Sequence, residues 1–250
     1  MEERISSIWS AMSENLQSIL SLQTVPLTRE KQIHIQEEVK LYHDATNLTI
    51  KMILKKKLAT FTKSVEDLMD ELTRKYVYLR NSTGPLSELN NDQLRDTFTR
   101  RFALDVVRLR LSVERNQNES EEAYIKRCRK DFALVYESQY VKDIVKTARV
   151  EIGKHRRLAQ TLRSIRDKQP YFKEGRVIFS KPILQISSEG KAFLLLTSAG
   201  KEIPLVFDKY TRNASLGTLD GFVKGKIKYD RVRLTWNREG YLNIDVKLIN

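Results

Sequence analysis

Cysteine is almost missing from this chain: Cys128 is the only one in 250 residues. One thiol forbids a disulfide within the chain and excludes a cysteine-rich zinc site. Thiol-poor composition without disulfides points to an intracellular, cytoplasmic protein. Cys128 lies in AYIKRCRKDFALVY, a helical pattern with basic neighbours and no paired histidine, so it reads as a structural thiol rather than a reactive one. Histidine is scarce as well. His34, His43 and His155 fall in separate segments, and no HExxH, CxxC or nucleophile elbow occurs. No glycine-rich loop precedes a helix, which excludes a nucleotide cradle of that type. The carboxylates are scattered. Asp245 alternates onto the polar side of the last strand, but companions for a metal site are not found by spacing. No metal, other cofactor or catalytic residue is expected. Long apolar runs are absent too: none approaches the ~20 residues that span a bilayer. The N-terminus lacks a basic region ahead of an unbroken apolar core, so neither a secretory signal nor a membrane anchor is expected.

Acid is in deficit. Lys and Arg number 45 against 32 Asp and Glu, a formal net charge of +13. Such a balance calls for a polyanionic partner, nucleic acid first and an anionic membrane surface second. Glycine is short in only one part of the chain. Residues 1–150 contain Gly84 alone, and the other eight glycines follow. Helices exclude glycine and turns between strands use it. The expected fold is therefore α+β: a helical bundle-like lobe over residues 1–170, then a small antiparallel β-barrel over 171–250.

Within the lobe, Ile5, Ile8, Trp9, Met12 and Leu16 mark an amphipathic helix over 1–20. SILSLQTVPL alternates, so a barrel strand at 18–27 is the competing reading. Thr28 opens a helix over 29–57, with Ile33, Val39, Leu41, Tyr42, Ala45, Leu48 and Ile53 inside and Lys55, Lys56 and Lys57 at its cationic end. Ser64 caps a third helix, 65–80. Asn90 or Asn91 caps a fourth, 92–113, decorated by Arg95, Arg100, Arg101, Arg108 and Arg110. A fifth spans 120–138. The sixth begins at Val141 and runs to Gln169-Pro170, where proline stops it. From Val141 to Lys168 there are nine Lys or Arg against three Asp or Glu. Val141, Ile144, Val145, Ala148, Ile152, Leu158, Leu162 and Ile165 form its buried stripe. Beyond it, short strands are expected at 176–179, 183–187, 192–197, 202–207, 221–229, 232–237 and 241–248, punctuated by glycine turns.

The residues that carry a function are cationic. Lys142, Lys146, Arg149, Lys154, Arg156, Arg157 and Arg163 lie on the basic helix. Tyr171 and Phe172 flank Lys173 and Arg176. Lys224, Lys226 and Lys228 alternate along an expected strand, with Arg231 and Arg233 after them. Cations about 7 Å apart on one strand face suit a phosphate backbone, although exposed edge strands also carry lysine to prevent aggregation. Tyr229 and Trp236 could stack on bases or fill the barrel core.

Four stretches resemble the N-terminal half of TnpB-type proteins, the OrfB transposon-encoded RNA-guided nucleases related to type V CRISPR effectors. These are PLTREKQIHIQEEVKLYHDATNLTI, with Ala45 and Asn47; LNNDQLRDTFTRRFALDVVR; KQPYFKEGRVIFSKP; and VRLTWNREGYLNIDVKL. The resemblance implies a helical recognition lobe inserted into a wedge β-barrel, with both holding guide RNA and target-adjacent DNA. The family's RuvC-like nuclease domain, with its carboxylates and four-cysteine zinc ribbon, has no counterpart in these residues. The expectation is a nuclease-less protein that binds structured RNA or duplex DNA. The alternatives are a protein-interaction scaffold, or the N-terminal subunit of a split nuclease completed by a separate chain.

Overall fold

The computed structural model describes residues 19–55, 65–112, 118, 120, 122, 123, 126, 138–181, 183–237 and 239–249. Residues 1–18 of the first helix, expected over 1–20, Lys56, Lys57, Ser64, Cys128 and nearly all of the expected fifth helix lie outside them.

The chain enters as strand β1 (Ile19–Gln23), which settles the alternating stretch in favour of a strand. A long helix follows, α1 (Arg29–Lys55). It buries Ile35, Glu38, Tyr42, Ala45, Thr49 and Ile50, one stripe at helical spacing, while Ile33 is on the outer side and exposed. Next come α2 (Val65–Arg80), α3 (Asn91–Arg101) and α4 (Ala103–Ser112). Asn90 caps α3 in a reciprocal box with Gln93: Gln93 N–H donates to Asn90 Oδ1 at 2.9 Å and Asn90 N–H donates to Gln93 Oε1 at 3.1 Å. The expected single helix 92–113 breaks at Phe102, whose φ of −111° and ψ of 30° leave helical geometry. Leu68, Leu72, Leu79, Leu94, Phe98, Val106 and Leu109 pack these helices together.

The basic helix, α5 (Gln139–Thr161), starts two residues earlier than expected and stops eight residues before Gln169. Ser138 caps it through the Val141 amide. Leu162 is extended, and a single turn, α6 (Arg163–Arg166), follows. Burial explains the early end. Ile152 is the last core residue of α5, and Leu158 and Leu162, expected inside, are 49% and 47% exposed. With nothing among the described residues to cover that stripe, packing no longer supports the helix.

Two antiparallel sheets complete the fold. One has the order β1-β7-β6-β2, with β2 (Arg176–Phe179), β6 (Lys228–Trp236) and β7 (Leu242–Ile249); the other is β3-β4-β5, with β3 (Leu184–Ile186), β4 (Ala192–Leu196) and β5 (Glu202–Val206). The expected barrel does not form. The sheets stay separate, joined where the chain leaves β1: Thr24 bridges Phe207, and Val25 N–H donates to the Val206 carbonyl at 2.9 Å. Between β5 and β6 the chain forms two short helices where no helix is expected, α7 (Lys209–Ala214), capped by Asp208, and α8 (Leu216–Val223). Of the expected strand 221–229, only Lys228 and Tyr229 are strand, at the start of β6. Leu219 and Phe222, three apart, bury one face of α8, and Gly225 turns the chain at φ 69° into β6.

Helices and strands share one core. Tyr42 is its hub, with edge-on contacts to Tyr140, Phe172 and Phe179 at ring centroid distances of 5.9, 5.6 and 5.7 Å. Arg100 closes the helices onto the second sheet. Expected on the surface, it is fully buried where the chain turns after β4. Its guanidinium donates to the Leu196 and Thr197 carbonyls, and Glu38, also buried, neutralises it at 3.1 Å. Glu38 in turn accepts from the Ser198 amide.

Removing one partner of a buried pair strands the other charge. Arg100→Ala is expected to cost about 3–5 kcal/mol in urea unfolding, and Glu38→Gln combined with Arg100→Met to cost less than Arg100→Ala alone. Equal losses for both would contradict this account of the pair.

Candidate nucleic-acid interface

Three anchors fix the rotation of α5. At its start, Asp96 accepts from Ser138 Oγ at 2.7 Å and from the Tyr140 amide at 3.2 Å. One turn on, Asp143 accepts from the Ser180 amide and hydroxyl, both at 3.0 Å, tying the helix to the end of β2. Thr147 and the Tyr42 hydroxyl are 2.8 Å apart. With Tyr140, Ile144, Ala148 and Ile152 buried, the opposite side of α5 must face outward.

Lys142, Lys146, Arg149, Arg156 and Arg157 fall on that side, within about 100° of the helical circumference. All five are exposed, and no Asp or Glu of α5 shares their sector. From Lys142 to Arg157 the stripe runs about 22 Å. Lys142, Lys146 and Arg149 also line an open cleft of about 490 Å³ with Arg110 of α4.

The other expected residues divide by environment. Arg163 lies on α6 rather than on α5, and it and Lys173 are exposed. Lys154 turns away to Glu151, at 3.0 Å. Arg176 reaches the same carboxylate at 3.3 Å and stacks 4.5 Å above the Phe172 ring. The alternating lysine row is not a row: Lys224 caps α8 and faces Asp220, Lys226 follows the Gly225 turn, and only Lys228 is in a strand. Arg231 is half-buried, 3.9 Å from Asp230. Arg233 is clamped by Asp245 at 2.7 and 3.0 Å. Asp245 thus serves an ion pair, and it also accepts from Ser21 Oγ of β1. Lys146 meets Asp230 at 3.4 Å, which brings the middle of α5 beside the start of β6. Of the two aromatics, Tyr229 packs between Phe193 and Phe222, while Trp236 is half-buried on the wall of a hollow. Among the described residues there is no cluster of three metal-ligating side chains, and no helix is long and apolar enough to cross a membrane.

Burial pushes the Asp143 carboxyl up to about 7, against the hydrogen bonds from Ser180 and the pull of Arg231. In the unfolded chain it titrates near the ordinary value of about 4. As pH rises from about 4 to about 7, the unfolded state releases a proton that the folded state keeps. Stability therefore falls through that window and levels off above it. Asp143→Asn, neutral throughout, is expected to gain about 1–4 kcal/mol on the parent protein between about pH 4 and pH 8. Parallel unfolding profiles for the two proteins would contradict the assignment.

No protein-family model matches the chain, and a search of curated proteins returns no match.

Proposed function

We propose that the chain binds nucleic acid, gripping the phosphate backbone with the outward face of α5. The observation that carries this reading is the stripe of Lys142, Lys146, Arg149, Arg156 and Arg157, with no acid of α5 in its sector and Asp230 of β6 beside Lys146 alone, on a helix whose rotation is fixed by burial. Exposed Arg163 and Lys173, beyond the helix end, and exposed Lys226 and Lys228, just ahead of Asp230 in the chain, are assigned to the same contact. Arg231 and Arg233 serve the protein's own carboxylates and are left out of the contact set.

The finer reading, a relative of the N-terminal half of TnpB-type proteins, rests on the four stretches quoted above. Chain order supports it: β1 pairs with β7, so the helices from α1 to α6 are inserted between strands of one sheet. On that reading the ligand is structured RNA or duplex DNA, and the chain is a binding protein or works with a separate nuclease chain.

About six neutralised phosphates should make log affinity for a duplex fall with log salt at a slope of roughly −5. Arg149→Glu with Arg156→Glu should weaken binding at least tenfold and flatten the slope by about 2. Fluorescence anisotropy over a salt series reads both. A slope near zero in the parent protein, or an unchanged slope in the double variant, would overturn the proposal.

A further inference from the structure

A second feature lies along α1. Two hollows of about 330 and 420 Å³ adjoin there and share His43 and Asp44. Trp236 walls the first, and Tyr171, 63% exposed, walls the second. Their far side is the connection from α6 to β2. Asn47 holds that connection as a strand partner would: Phe172 N–H donates to Asn47 Oδ1 at 2.8 Å, and Asn47 Nδ2 donates to the Phe172 carbonyl at 3.1 Å. The same amide meets His43 Nε2 at 2.9 Å, and His43 Nδ1 faces Asp44 at 3.0 Å. The groove is thus formed by the chain itself, with its far wall held to α1. Lys40 and Lys51 mark its two ends on one face of α1, about 16 Å apart. Asp44 and Glu174 line it between.

We infer that this groove takes a short single-stranded nucleic-acid segment, with bases against Trp236 and Tyr171, and that it prefers bases carrying an exocyclic amino group. Successive aromatic platforms flanked by cations suit unpaired bases and exclude a duplex, whose bases are already stacked. The two carboxylates repel phosphate, so the backbone must follow the lysine rim. They accept instead from an amino group such as cytosine N4. The inference rests on the proposed function only in taking nucleic acid as the ligand; its residues do not overlap the α5 stripe.

The test compares dC and dT dodecamers with a blunt duplex, using the whole chain and anisotropy. The parent protein should bind dC several-fold more tightly than dT. Tyr171→Ala should weaken dC binding about fivefold or more while leaving the duplex unchanged. Glu174→Gln with Asp44→Asn should abolish the dC preference. In a Trp9→Phe background, cytidine monophosphate should quench Trp236. Equal affinities for dC and dT, or a Tyr171→Ala variant that binds dC like the parent, would overturn the inference. Failure of the α5 reading looks different: duplex binding would then ignore Arg149→Glu with Arg156→Glu while the mononucleotide still quenches Trp236, an outcome that supports the groove.

Discussion

The orientation of α5 governs everything else in the account. A helix with cations on one side is common on protein surfaces, and its charges mean little while it can roll. Here Asp96 holds its first turn, Asp143 ties it to β2, and Thr147 meets the core hydroxyl of Tyr42. Tyr140, Ile144, Ala148 and Ile152 then fill the core that both sheets share. Rolling the helix would expose these apolar side chains, at about 25 cal/mol for each Å² uncovered, and would break buried hydrogen bonds as well. The cationic stripe is therefore presented in one orientation. That preorganisation lets a row of charges act together on a polyanion.

The helical layer needs a matching hold on the second sheet, and Arg100 supplies it. A buried guanidinium is unfavourable by itself. It is tolerated because the turn after β4 presents two carbonyls and α1 presents Glu38, so every side of the charge is answered. The arrangement links segments nearly 100 residues apart in the chain. It also fixes α1, and with it the groove that His43, Asp44 and Asn47 line.

Much of this was legible from the residues. Low glycine before residue 150 and frequent turns after it separate the helix-rich part from the strands. Alternation in YLNIDVKL marks β7, and the Asn90–Gln93 spacing marks the start of α3. What escaped notice depends on distant partners. Arg100 looks like a surface residue because nothing near it announces the carbonyls it will meet. Leu158 and Leu162 continue a helical stripe whose covering surface ends at Ile152. Lys224, Lys226 and Lys228 mimic a strand because period-two charge says nothing of the Gly225 turn or of Leu219 and Phe222 behind it. The sheets were expected to close, yet strand lengths alone do not show whether edges will meet. Within the site, the exposed cations of α5 were readable from periodicity. The ion pairs of Arg233 and Lys154, and the pairing of Asn47 with Phe172 across 125 positions, were not.

The central claim is that the outward face of α5 touches the ligand. Lysine acetylation footprinting of the whole protein, with and without a saturating duplex, tests it most directly. Lys142 and Lys146 should become protected on binding, while Lys209 on α7 keeps its reactivity. Full reactivity of Lys142 and Lys146 under saturation would contradict the account, wherever else protection appeared.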